Sequence, residues 1–251
     1  MNNFLPDLTQ LAQKRALITG GTSGIGLATA LLLAKHGVRL YIIGRDEEKL
    51  EQALEQIKDE NEAVEVYGMS VDVTEASALE KLFDSIDKHW GGLDILINNA
   101  ALGHGSILEG DFEDWNYLVK TNITAYLACC NYAAKRMLQQ NDGHIINIGS
   151  MSAEARQEGS SVYVASKSAL QGFSEAFRKE INNDGICVTL IEPGAVDTPM
   201  QDSSQEEKDE KIQNLEMLLS EDVARSVLYV LSQPKRCAIV DLKIRPLKQL
   251  I

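Results

Sequence analysis

The chain has 251 residues, 44% of them apolar and 24% charged, a globular balance that excludes wholesale disorder and collagen-like structure. Its 24 basic and 37 acidic residues leave a net charge of −13. That balance speaks against wrapping around nucleic acid or an anionic membrane, while leaving room for a small anionic ligand held by local groups.

No apolar run nears the ~20 residues that span a bilayer. The start, MNNFLPD, lacks the basic region and long apolar core of a secretory signal. Without a Pro/Gly/Ser-rich linker or an internal repeat, residues 1–251 are expected to form one cytoplasmic domain. Cys129, Cys130, Cys187 and Cys237 have neither metal-ligand spacing nor a dense disulfide pattern, so reduced thiols and no metal are expected. Asn122-Ile123-Thr124 matches a glycosylation sequon, read as coincidence in a chain with no signal.

Apolar runs predict strands at 15–19, 38–43, 64–67, 93–97, 144–148, 187–191 and 237–242. They are the continuous kind that a parallel sheet buries on both faces. Amphipathic runs between them predict helices at 24–36, 46–60, 75–90, 112–140, 161–183 and 220–232. Asp46 and Thr74 are the expected N-caps, and Gly37 and Gly185 the expected helix stops. This alternation predicts an α/β fold, a doubly wound parallel sheet of about seven strands with helices on both faces. Ligands of such sheets bind at the carboxyl ends of the strands.

The first strand runs into TGGTSGIG, residues 19–26, and then a helix. Gly20, Gly24 and Gly26 would let the backbone turn tightly and approach a pyrophosphate, with Thr22, Ser23 and Ile25 presenting amides at the helix start. A ligand-free glycine turn is the competing reading. After the second strand, Gly44 stands where a ribose-binding acid would favour NAD, and Arg45 follows. A guanidinium matches phosphate geometry, so NADP(H) is favoured over NAD(H), unless Arg45 is a solvated surface charge. Asp72-Val73 follows the third strand; Asp72 is read either as an acceptor from the adenine amino group or as a helix-capping acid.

Tyr163 and Lys167 form a YxxxK pair within a predicted helix, where residues at that spacing share one face. A nearby cation lowers a tyrosine pKa from ~10, making Tyr163 a usable acid/base. Ser150, at the end of the fifth strand, would donate to a substrate oxygen beside it.

Together these motifs resemble the short-chain dehydrogenase/reductase family, in its single-domain, NADP-preferring branch, over about Lys14 to Pro246. Asn98-Asn99-Ala100 resembles the family's NNAG, and Pro193-Gly194-Ala195-Val196-Asp197-Thr198 its nicotinamide-side segment. The resemblance implies a Rossmann-type fold, a small carbonyl or alcohol substrate and hydride transfer to or from NADP(H). It implies catalytic roles for Asn122, Ser150, Tyr163 and Lys167, with Asn122 holding a water beside Lys167. It implies cofactor contacts from the glycine loop, Arg45, Asp72, Val73, Asn99, Ala100, Tyr163, Lys167, Pro193, Gly194, Val196 and Thr198. A homotetramer or homodimer, joined through the helices at 112–140 and 161–183, is also implied.

Two departures stand out: Ala101 replaces the glycine of NNAG, and the tail reads KIRPLKQ, which resembles a subgroup acting on small hydroxy acids. Loops 101–110, 151–160 and 197–218 would shape the substrate end, the last carrying a solvated acidic lid from Asp202 to Lys211. His104 and Arg156 are read as substrate-carboxylate contacts or as solvent-facing loop residues. Two other functions compete: a 3-oxoacyl carrier-protein reductase, disfavoured by the acidity, and a non-enzymatic NADP(H)-binding sensor on the same scaffold.

Overall fold

The computed structural model describes residues 8–103, 105–201 and 203–249; His104 and Asp202 lie outside them. Strands β1 (Arg15–Thr19), β2 (Arg39–Gly44), β3 (Val66–Ser70), β4 (Ile95–Asn98), β5 (Gly143–Ile148), β6 (Ile186–Pro193) and β7 (Asp241–Ile244) form one sheet. All pairs are parallel, in the order β3-β2-β1-β4-β5-β6-β7. The chain winds outward one way from β1 to β3 and the other way from β4 to β7, so the order reverses between β1 and β4. A crevice opens there at the carboxyl ends. This is the Rossmann-type architecture.

The helices are α1 (Gly24–Lys35), α2 (Glu47–Glu60), α3 (Ala76–Trp90), α4 (Phe112–Val119), α5 (Ala125–Gln140), α6 (Ser152–Ala155), α7 (Ser161–Ile181), α8 (Gln205–Gln213) and α9 (Ser220–Leu231). Strand side chains alternate between two cores. Ala16, Ile18, Leu40, Ile42 and Ile97 pack against α1, α2 and α9. Leu17, Tyr41, Ile43, Leu96 and Ile145 pack against α3, α5 and the end of α7. Both faces are therefore dry, as the unbroken apolar runs require.

Polar groups fix the register inside these layers. Arg15 sends Nε and Nη2 onto Asp94 at 2.8 and 2.7 Å, and its amide donates to the same carboxylate at 2.8 Å, tying the start of β1 to the approach to β4. Burial pushes the Asp94 pKa up, but the Arg15 hydrogen bonds outweigh it and hold the carboxyl below its usual range. Asn98 and Asn147 are paired residues of β4 and β5, and the amide of Asn98 donates to Asn147 at 3.0 Å. Asn147 in turn donates to Ser174 Oγ on α7 at 3.0 Å.

Several boundaries differ from the sequence expectation. The third strand is displaced to 66–70, and the seventh to 241–244 because Cys237 folds back onto the Pro234 carbonyl in a turn. The long helix expected over 112–140 is interrupted by a π-helical turn at Lys120–Thr124. Asp46 caps α2 by accepting from the Lys49 amide, but Thr74 caps nothing, because its amide and hydroxyl both donate to Asp72. Helix α8 occupies the stretch read as a solvated acidic lid and is mostly exposed. A Ser204–Glu207 capping box starts it, and the ammonium of buried Lys208 donates to the Thr198 carbonyl at 2.9 Å. Ala101 is not among the residues at positive φ, so alanine sits there without strain. No described helix is long and apolar enough to cross a membrane.

Candidate active site

A cleft of about 1330 Å³ runs along the carboxyl ends of the strands. Gly20 turns the chain out of β1 at φ +64°, a region that L side chains enter only at a cost. Thr19 Oγ1 accepts from the amides of Asn99 and Ala100, and the Asn99 amide donates back to the carbonyls of Thr19 and Gly20, all at 2.9–3.0 Å. Asn99 thus braces the glycine loop. Gly20, Thr22, Ser23, Gly24 and Ile25 line the cleft at the amino end of α1. The Ser23 side chain makes no cap bond to the helix. Gly26 differs from the expectation. It is buried behind the loop, where a β-carbon would collide with the Gly20 carbonyl, so its role is close packing rather than lining.

Arg45, Asp72 and Val73 line the cleft beyond the loop, beside Tyr117 of α4. Asp72 lines the cleft with its carboxylate partly committed within the chain. Thr74 occupies Oδ1, and the Tyr117 hydroxyl donates to Oδ2 at 2.9 Å. Burial would raise the Asp72 pKa, but these bonds and the charge of Arg45 hold it below its usual range. Arg45 Nη1 donates to the same tyrosine oxygen at 2.6 Å.

Ser150, Tyr163 and Lys167 meet at the end of β5. The amides on either side of Ser150, those of Gly149 and Met151, donate to the carbonyls of Ile191 and Pro193, which continues the sheet pairing through this segment. The Ser150 side chain stands beside Tyr163 and favours its ionised form. Lys167 is buried with Nζ 5.7 Å from the Tyr163 ring centre. It donates to the Ile148 carbonyl at 2.9 Å. The electrostatics depart from the expectation. Burial raises the Tyr163 pKa, with Ser150 opposing, and the same burial drives Lys167 down to about 7. Desolvation dominates because both groups leave water together.

Asn122 is fully buried in the π-helical turn and does not line the cleft. Its side chain exchanges two 2.8 Å bonds with the Leu102 backbone and donates to Ser166 Oγ at 3.1 Å, so it holds the loop after β4 in place. A glycan at that sequon would have no room in the folded chain.

Pro193, Gly194, Val196 and Thr198 line the cleft after β6. Val196 is bridged to Leu218, and the Ala195 amide donates to Gln249 Oε1 at 3.0 Å. Arg156 turns onto the Ala153 carbonyl at the end of α6 and does not line the cleft. Sequence reasoning missed Tyr117, Gln249 and Glu192. Glu192 is fully buried on β6; Gln171 donates to its Oε1 at 2.8 Å while Oε2 has no partner among the described residues. Burial pushes its pKa up to about 7.

The sheet order and the glycine-loop crevice define a dinucleotide-type α/β sandwich. Residues 14–209 match the family model for short chain dehydrogenase, and the chain belongs to the short-chain dehydrogenase/reductase family of oxidoreductases. It is 35% identical over 240 residues to an uncharacterized oxidoreductase of Staphylococcus saprophyticus, covering 95% of this chain and 100% of that protein. Among solved structures, L-sorbose reductase from Gluconobacter frateurii, complexed with NADPH and L-sorbose, superposes with a TM-score of 0.85 at 26% identity, over 96% of this chain and 98% of that one. An alcohol dehydrogenase from Thermococcus sibiricus, complexed with 5-hydroxy-NADP, gives a TM-score of 0.85 at 25% identity, over 95% and 99%.

Proposed function

We propose that the chain transfers hydride between NADP(H) and a carbonyl or secondary alcohol, with Tyr163 moving the proton at the substrate oxygen. The observation that carries this reading is a single cleft holding both parts: the Ser150–Tyr163–Lys167 cluster after β5, and Arg45 after β2. Three strand spacings, about 14 Å, separate those strands. The likeness to NADP-bound relatives supports it.

The glycine loop fits a dinucleotide, because its positive-φ turn delivers unencumbered backbone to the start of α1. Loop residues 20–25 would hold the pyrophosphate, Arg45 a 2′-phosphate, and Val73, Asn99 and Ala100 the adenosine side. Pro193, Gly194, Val196 and Thr198 would hold the nicotinamide side. When bound, that cofactor supplies or accepts the hydride.

The remaining chemistry belongs to the chain. The Ser150 hydroxyl donates to the substrate oxygen and holds it beside Tyr163. The Tyr163 hydroxyl gives or takes the proton there. Lys167, hung from Ile148, favours the phenolate whenever it carries its proton, and it would also hold the cofactor ribose. Asn122 keeps the Leu102 loop against the site, and the π-helical turn around it is our candidate place for a relay water. Ser152, Gln157 and Ser160 line the cleft alongside Met151 and Met200, which supports a small polar substrate. We read residues 8–249 as one domain, and the exposed Val119, Leu127 and Leu138 as part of a subunit contact in a dimer or tetramer.

The test is Tyr163→Phe in a carbonyl screen driven by NADPH. Turnover should fall about 10²–10⁴-fold while NADPH binding is kept. Retained turnover would overturn the assignment. Equal efficiency of the wild type with NADH would overturn the NADP(H) preference alone.

A further inference from the structure

Arg45 is exposed, and a lone exposed arginine gives up rotamer freedom when it is fixed on an anion. Here it is fixed beforehand. Its Nη1 donates to the Tyr117 hydroxyl at 2.6 Å, and its guanidinium carbon stands 5.8 Å from the Tyr117 ring centre. Its backbone is held as well, because Ser70 Oγ donates to the Arg45 carbonyl at 3.0 Å. Gly44, just before it, packs so closely on Thr22 that a β-carbon there would stand 2.6 Å from the threonine methyl, which sets Arg45 beside the phosphate loop.

The tyrosine hydroxyl does a second thing. It accepts from Arg45 and donates to Asp72 Oδ2 at 2.9 Å, so the three side chains form one directed chain, cation to hydroxyl to carboxylate. Donors arranged head to tail polarise one another. The carboxylate takes Thr74 on one oxygen and the Tyr117 hydroxyl on the other, so it draws the guanidinium into place through the tyrosine without pairing with it. A direct Arg–Asp pair would present a neutralised face to a phosphate. The interposed hydroxyl uses one guanidinium nitrogen and leaves the fork's other donors to the cleft.

We propose that Tyr117 is a specificity-determining positioning residue: with Asp72 behind it, it holds Arg45 oriented for the 2′-phosphate of the cofactor. This rests on the NADP(H) reading above. Among the side chains that line the adenosine side, Tyr117 is the one supplied by α4, from the far half of the sheet, so it reaches Arg45 only in the folded chain.

The experiment is isothermal titration of wild type, Tyr117→Phe and Arg45→Ala with NADPH, NADH, adenosine 2′,5′-bisphosphate and adenosine 5′-monophosphate. Phenylalanine keeps the ring and removes the hydroxyl. A hydrogen bond to a charged group is worth a factor of about ten or more. Tyr117→Phe should therefore weaken NADPH and the bisphosphate by about tenfold and change NADH and the monophosphate by less than about twofold. Equal weakening of all four ligands would make Tyr117 a mere wall of the adenosine site and overturn the inference. So would unchanged binding of all four while Arg45→Ala erases the preference for the bisphosphate. If wild type and Arg45→Ala both bind bisphosphate and monophosphate alike, the NADP(H) reading itself falls.

Discussion

Lys167 Nζ and the carbonyl of Ile148 are 2.9 Å apart, so the ammonium hangs from the carboxyl end of β5 and meets Tyr163 only as a cation beside a ring. The strand, not the tyrosine, fixes the lysine. That carbonyl also accepts from the Tyr126 hydroxyl at 3.4 Å, so it keeps a partner if the lysine is removed.

A buried ammonium is therefore a cost to the fold that function explains. Lys167→Met, close in volume and uncharged, should leave the thermal midpoint equal to wild type or higher. Turnover should fall by about 10²-fold or more. Thermal unfolding beside steady-state kinetics reads both. A midpoint several degrees lower would make the lysine structural.

Glu192 carries a pH signature. In the unfolded chain it ionises near ~4.3; in the folded chain burial pushes it up to about 7. Between those values the folded chain holds a proton that the unfolded chain has released. The contribution of this group to stability is thus full below ~4.3 and is lost as pH rises to about 7, at a slope of up to ~1.4 kcal/mol per pH unit. His144, driven down to about 4 by burial, has the opposite slope up to its ordinary ~6.5. Comparing Glu192→Gln with wild type cancels the histidine. Denaturant melts from pH 5 to 7 should find the variant gaining on wild type as pH rises. A constant difference would mean that Glu192 does not change protonation in that window.

Asn122 answers both backbone groups of Leu102. Asn122→Ala leaves a part-buried donor and acceptor on Leu102 without their partner, at up to about 1–3 kcal/mol each. The variant should lose about 2–4 kcal/mol in urea unfolding, and its KM for the carbonyl substrate should rise as the Leu102 loop loosens. Unchanged stability would mean that water replaces the side chain without penalty.

What could be read in the sequence was what the chain encodes locally. TGGTSGIG sits between a strand and a helix, and Tyr163 and Lys167 share one helix, so neighbours along the chain carried the signal. The apolar runs revealed a parallel sheet because burial on both faces leaves no alternation to read. What escaped was set by distance. Tyr117 reaches Asp72 across 45 positions and Arg45 across 72. Gln249 reaches Ala195 across 54. Nothing in the local pattern of α4 or the tail marks these residues. The upward shift of Tyr163 was hidden for a related reason, since the spacing of a lysine is visible in sequence and its desolvation is not. The solvation of the acidic stretch before α9 was legible in its charge; the helix within it and the burial of Lys208 against Thr198 were not.

The Asn98–Asn147 amide bond has a consequence for how the molecule assembles. A sheet of seven parallel strands is built from distant segments joined by long crossovers, and such chains can trap mispaired intermediates. A slip of β4 against β5 by one residue would swing one amide to the opposite face and break the bond between them, leaving the other with only its helix partners, Tyr126 and Cys130 or Ser174. The apolar residues around it would tolerate that slip; the amides would not. The pair works as a proofreading lock: it adds little to the strength of the finished sheet but penalises the wrong alignment, so the strands whose ends carry Asn99 and Ser150 arrive in the one register that places both at the same cleft.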